Sequence, residues 1–203
     1  FVAIDLETTG LNPSQDRITE IGMVRFGLPG ASPEAAPETF KSFVNPDIPI
    51  PVRIQQITGI SDADVADALH FNALRLQIEE FIGEATIVGQ NVGFDLAFLA
   101  EQGVRPPGAV LDTLELAALL EPQLKDRALG ALAAHYDVAM PAGRDDEIGD
   151  LRANAQNRRV SLTLNRLSGP SNFLVGASTR LFKDGGTAVL RLLRRLSDAA
   201  LGL

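Results

Sequence analysis

Phe1-Val-Ala-Ile-Asp-Leu-Glu-Thr-Thr-Gly10 is the stretch on which the fold turns. Phe1–Leu6 is apolar with β-branched members and reads as a buried strand. Asp5 and Glu7 stand two residues apart in it, so the period of a strand puts both on one face of a sheet. Two carboxylates so placed repel, and desolvation raises the cost. A divalent cation would neutralise them; a strand end where both acids reach water is the simpler alternative. Thr8, Thr9 and Gly10 follow as a tight turn with hydroxyls and backbone N–H groups. Such a turn can hold a phosphate or a terminal nucleotide, or merely end the strand.

Outward from this segment, Gly10-Leu-Asn-Pro13 reads as a turn and Ile18–Phe26 as a second strand. Gly27–Pro37, with three Pro and two Gly, reads as a hairpin loop, and Thr39–Val44 as a third strand. Together these make an antiparallel meander. Pro46–Pro51 is a Pro-rich connection, and Ser61 before Asp62 and Asp64 marks a helix start. Ala73–Ile82 has helical spacing, and Thr86–Val88 is a short buried strand. Phe94–Gln102, Asp112–Leu120, Arg127–Tyr136 and Thr187–Leu201 read as helices. Strands first, then strands alternating with helices, imply an α/β sheet with mixed pairing.

The second chemical cluster is Gly89-Gln-Asn-Val-Gly-Phe-Asp95, between the strand ending at Val88 and the following helix. Asp95 falls in that helix's first turn, where negative charge is favoured, so it either caps the helix or serves as a third ligand. Phe94 and Phe98 share a helical face that suits a core. Three carboxylates from separate elements suit a two-metal phosphodiester site, one ion activating water and the other stabilising the leaving oxygen. No G-x-x-x-x-G-K-[ST] loop, G-x-S-x-G elbow or H-E-x-x-H segment occurs.

Composition bounds the rest. The 203 residues suffice for one substantial core, and 45% apolar with 22% charged residues is an ordinary globular balance. Cysteine is absent, which removes disulfides and thiolate metal sites and fits a reducing cytoplasm, the expected compartment. With two histidines, a metal site must rest on oxygen ligands, which suit Mg²⁺, Mn²⁺ or Ca²⁺. No apolar run reaches 18 residues, so no membrane association is expected. Phe1 already lies in an apolar run, and the natural chain is expected to begin upstream. The net charge of −8 is uneven: residues 1–143 carry 20 acidic and 8 basic side chains, residues 144–203 carry 6 and 10. The basic tail is either a solvated helix face or a phosphate-binding surface.

The first ten residues resemble the first motif of the DEDD 3′–5′ exonucleases, the superfamily of the DNA polymerase III epsilon subunit. Ile18-Thr-Glu-Ile-Gly22 is similar to the strand that follows it there. Ile54-Gln-Gln-Ile-Thr-Gly-Ile60 resembles the family's "I-x-x-L-T-G-I", Gly89–Asp95 its "H-N-x-x-F-D", and Asp112-Thr-Leu-Glu-Leu-Ala117 its "D-T-L-x-L-A". The resemblance implies a ribonuclease-H-like α/β fold, a mixed central sheet of about five strands flanked by helices. It implies two Mg²⁺ or Mn²⁺ ions on Asp5, Glu7 and Asp95, and removal of nucleoside monophosphates from DNA 3′ ends, with RNA an open alternative. Thr8, Thr9, Gly10 and Asn91 would lie near the terminal nucleotide, with Phe94 a further contact. The Pro46–Ile60 pattern is most similar to exonuclease domains of PolC-type polymerases and DinG-type helicases, so the chain is expected to be fused to, or bound by, such a protein.

The family's third motif, H-x-x-x-x-D, has no intact counterpart. No histidine follows His135, which sits in an Ala-rich helix and reads as structural. Thr179-Arg-Leu-Phe-Lys-Asp184 keeps the spacing with Thr for His, making Asp184 the favoured fourth carboxylate and Asp145, Asp146 and Asp150 its rivals. The division expected is residues 1–142 as the exonuclease domain, 143–181 as an insertion or a stretch without defined structure, and 182–203 as a terminal helix completing the domain. A general base contributes ~10²–10⁴-fold in rate, so its loss implies a slow enzyme or a weakened nucleic-acid-binding module.

Overall fold

The computed structural model describes residues 1–27 and 38–136. The expectations for the 143–181 segment, for the helix over 187–201, and for Thr179, Asp184, Asp145, Asp146 and Asp150 lie outside these residues.

Strands β1 (Val2–Thr8), β2 (Ile18–Arg25) and β3 (Glu38–Phe43) form the antiparallel meander. Helices α1 (Val52–Thr58), α2 (Asp62–Val65) and α3 (Phe71–Ile82) follow. The chain then returns to the other side of β1 with β4 (Ile87–Gly89), α4 (Gly93–Glu101), β5 (Val110–Asp112), α5 (Thr113–Leu120) and α6 (Leu129–His135). The sheet order is β3-β2-β1-β4-β5, with β4 parallel to β1 and β5 parallel to β4.

Alternation along β1 sorts the core into two layers. Val2, Ile4 and Leu6 pack with Ile21, Met23 and the buried faces of α3 and α4. Phe71, Leu74, Ile78 and Ile82 provide the α3 face at helical spacing. Ala3 points the other way, with Val24 and Val88, against Ala117 of α5 and Leu129, Leu132 and Ala133 of α6. Asp5 and Glu7 share the Ala3 face, so the apolar layer on that side gives way to acids as β1 approaches its carboxyl end.

Two elements differ from the sequence reading. The Val52–Thr58 segment forms a helix that propensity alone did not mark. It has seven residues, closes on Gly59 at φ 74°, and shares a small core of Ile50, Ile60 and Val65 with its neighbours. The strand β5 is the second; it is three residues long, too brief for a period to show, and Asp112 both ends it and caps α5, the helix expected from this residue onward. Ser61 caps α2 as expected, in a reciprocal box with Asp64.

The register between β4 and β5 depends on Gly108. A Cβ there would stand 2.0 Å from the Ala85 carbonyl oxygen, a backbone atom with nowhere to go. Gly108→Ala should therefore lower stability by about 1–3 kcal/mol, the usual cost of forced overpacking, read as a reduced midpoint in urea unfolding.

Candidate active site

Chain order and sheet order reverse on either side of β1. The crevice outside the carboxyl ends of β1 and β4 is therefore a topological switch point, the usual ligand position in open α/β sheets. A cleft opens there, lined by Asp5, Leu6, Glu7, Thr8, Gln90, Phe94 and Asp95. Three acids from two elements, 88 or more residues apart in the chain, thus face one space.

Asp95 is placed by a single contact. The β1–β4 ladder registers only Val2 with Ile87 and Ala3 with Val88. Further along β1 the N–H of Leu6 donates instead to Asp95 Oδ1 at 2.9 Å. The carboxylate of α4 thus replaces the acceptor that β4 no longer supplies. It also takes its own backbone N–H in the first turn of α4, so the helix-end role and the cleft position that the sequence left as alternatives fall on the same carboxylate. Asp95 is 5% exposed. Burial first, and the nearby Asp5 second, push its carboxyl well above the ordinary 3.8, against the Leu6 N–H.

The loop between β4 and α4 is held from below. Asp112 Oδ1 accepts from Asn91 N (2.8 Å) and Leu114 N (2.9 Å), and its Oδ2 accepts from Val92 N (3.0 Å). Asn91 takes φ 53°, a left-handed conformation that Asn tolerates better than most residues. Gln90 Nε2 donates to the Arg127 carbonyl at 2.8 Å, and its Oε1 accepts from Thr113 Oγ1. Asp112 is the residue that sequence reasoning missed as a positioning group. Its signal was present, an acid before a Thr at a helix start.

The turn after β1 is organised by Asp16. Its Oδ2 accepts from Asn12 N at 2.8 Å, and Thr9 Oγ1 accepts from Arg17 N at 3.0 Å. Thr8 Oγ1 donates to the Gly10 carbonyl at 2.6 Å. Of the substrate-contact candidates, Thr8 and Phe94 line the cleft. Thr9, Gly10 and Asn91 support it from the turn and loop. Phe94 also packs on Phe98, ring centroids 4.9 Å apart, so it is both core edge and cleft wall.

A model of the Exonuclease family (RNase T) matches residues 2–142. The chain belongs to this exonuclease family. It is 37% identical over 144 residues to the PolC-type DNA polymerase III of Caldanaerobacter subterraneus subsp. tengcongensis, covering 69% of this chain and 10% of that protein. It is 32% identical over 149 residues to the PolC-type DNA polymerase III of Bacillus subtilis, with the same shares. The chain thus spans about a tenth of the length of these relatives. Among solved structures, exonuclease X in complex with 5′-overhanging duplex DNA superposes with TM-score 0.55 at 24% identity, covering 86% of this chain and 96% of that one. Exonuclease I of Methylocaldum szegediense superposes with TM-score 0.55 at 20% identity, covering 81% and 42%. These likenesses show the ribonuclease-H-like α/β fold.

Exonucleases of this family generally use divalent metal ions. Asp5, Glu7 and Asp95 fit such an ion in kind, since they offer only oxygen donors and include a buried carboxyl whose ionisation a cation would relieve. Among the described residues, no three carboxylates or histidines are grouped closely enough to hold a metal by themselves. Both histidines of the chain lie elsewhere: His70 Nδ1 meets Asp47 Oδ2 at 3.0 Å, and His135 Nε2 meets Glu121 Oε1 at 3.5 Å. No helix among the described residues is long and apolar enough to cross a membrane.

Two outcomes follow from these contacts. Because the Asp95 pKa is raised on folding, the metal-free protein binds more protons folded than unfolded, and its stability falls as pH rises from about 4 through the raised value. Asp95→Asn keeps an acceptor for Leu6 N–H and removes that dependence, so it should raise the metal-free melting temperature at pH 7 by ~2–4 °C while leaving it unchanged near pH 3. Asp112→Ala leaves three backbone N–H groups without their acceptor and should cost about 2–4 kcal/mol, measured by urea unfolding.

Proposed function

We propose that this chain removes nucleoside monophosphates from the 3′ ends of single-stranded DNA with the aid of two Mg²⁺ or Mn²⁺ ions. What carries the reading is the convergence of Asp5, Glu7 and Asp95 on one cleft at the carboxyl ends of β1 and β4. When bound, the ions would activate the attacking water and stabilise the leaving oxygen. Asp5, Glu7 and Asp95 would hold them, and Asp184 is proposed as the fourth carboxylate, from a 182–203 helix that completes the domain. The protein's own part is placement. Leu6 N–H fixes Asp95, the rigid β1 fixes Asp5 and Glu7, and Phe94 offers an apolar wall to the terminal nucleotide.

The PolC-type relatives support a further proposal, that the domain works in the cytoplasm within or beside a replicative polymerase or a helicase, in proofreading or end processing. A weakened nucleic-acid-binding module is the second reading, and one observation favours it: neither histidine of the chain stands at the cleft. With no imidazole to take the proton of the attacking water, the rate should fall ~10²–10⁴-fold below that of an exonuclease with such a base.

A 5′-labelled DNA oligonucleotide incubated with Mg²⁺ or Mn²⁺ should yield a ladder shortened from the 3′ end. Asp5→Ala and Asp95→Asn should each reduce this on the order of 10³-fold or more. Folded protein that binds the oligonucleotide in a salt-sensitive way without shortening it would establish the second reading instead. A matched RNA oligonucleotide decides between the nucleic acids.

A further inference from the structure

Glu7 is not the only buried acid on its face of the sheet. The β1–β2 register pairs it directly with Glu20, so the two side chains emerge on the same side. Directly opposed Cβ atoms in antiparallel strands lie ~4.5–5.5 Å apart, and like charges there oppose folding. Glu7 is 4% exposed and Glu20 6%. Yet only Glu7 lines the cleft. Glu20 turns toward the other neighbour of β2, where its Oε1 meets Lys41 Nζ at 2.9 Å. Lys41 stands opposite Gly22, which in turn stands opposite Asp5. Glycine at that position leaves no side chain between Lys41 and Asp5 in this row of the sheet. The lysine side chain is 43% exposed, so its charge is anchored at the rim of the buried cluster.

We propose that Lys41 and Glu20 are a positioning pair that holds Glu20 out of the ligand set, leaving Glu7 as the acid of that strand pair presented to the cleft. The inference rests on the metal reading of the cleft given above. Two carboxylates side by side would compete for the same cation and let it settle away from Asp5 and Asp95. The ammonium removes one competitor by geometry, drawing it one strand further from the cleft, and offsets part of the negative charge that the cation meets. Removing Lys41 therefore frees a second buried acid next to Glu7. Cation binding tightens, because the local field becomes more negative, while turnover falls, because the cation is shared with a group that faces the wrong way.

The test is Mn²⁺ binding by calorimetry and by metal-induced thermal shift, alongside kcat and KM on a DNA oligonucleotide. Lys41→Met should tighten Mn²⁺ binding threefold or more and lower kcat tenfold or more at little-changed KM. Lys41→Arg, which keeps the charge, should stay within twofold of the wild type on every measure. Adding Glu20→Gln to Lys41→Met should bring both binding and kcat back toward the wild type; Glu20→Gln alone, which retains an acceptor for Lys41, covers the case in which Lys41→Met does not fold, and should leave Mn²⁺ binding within twofold. Lys41→Met with wild-type Mn²⁺ affinity, or a loss that Glu20→Gln does not reverse, overturns the positioning role while the cleft remains a metal site. A wild type that binds no Mn²⁺ at all removes the metal reading itself, and the pair's role with it.

Discussion

Where β4 leaves β1, the backbone of the central strand faces a buried N–H with no strand to receive it. The Asp95 carboxylate accepts it, and most of the site follows from that substitution of a side chain for a ladder. An orphaned buried N–H costs ~1–3 kcal/mol, so α4 cannot drift from β1 without exposing it. The same bond carries a carboxyl to within electrostatic reach of Asp5 and buries it there. Structure and chemistry are thereby coupled in one group. The contact that closes the end of the sheet also creates the charge density that a divalent cation would relieve.

Acids of this domain differ by where they stand rather than by what they accept. Asp112 and Asp16 take backbone N–H groups away from the cleft, at Asn91, Val92 and Leu114 in one case and at Asn12 in the other. Such bonds make the carboxylate a scaffold. Asp95 also takes a backbone N–H, that of Leu6, but together with Asp5 and Glu7 it lines the cleft. Nothing in residue type separates these two groups; their place relative to the carboxyl ends of β1 and β4 does. Arg25 shows the same economy on the opposite layer, its guanidinium donating to the Glu80 and Phe81 carbonyls that the last turn of α3 leaves open.

The meander, α3 and α4 were legible from apolar patterning, in α3 from the spacing of Leu74, Ile78 and Ile82, all buried, while the sorting of the core into two layers emerged only with the sheet order. The α1 helix and β5 were not, because seven and three residues are too few for periodicity to outweigh local composition. The acid pair of β1 was legible from its spacing, and Asp95 from the motif around it. The partner that fixes Asp95 was not, since a bond to a backbone N–H leaves no trace in the identity of Leu6. Nor was the role of Glu20, whose opposition to Glu7 exists only once the β1–β2 register is set, with its irregularity placed between Glu7 and Thr8.

The two histidines bear most directly on how far the chemistry can go. Each is bound to an acid outside the cleft, His70 to Asp47 at the start of α3 and His135 to Glu121 past the end of α5. An imidazole held 3.0–3.5 Å from a carboxylate elsewhere in the fold cannot also orient water over Asp5 and Asp95. Among the described residues the ionisable groups lining the cleft are carboxylates, which are weak bases when solvated and stronger ones when desolvated beside a like charge. Asp95 is in that second situation. The same burial that makes it costly to ionise makes it a better base and a tighter ligand, but one group cannot fill both roles at once. If Asp95 is committed to a cation, as proposed, the described cleft is left with binding and charge placement as its main means of lowering a barrier.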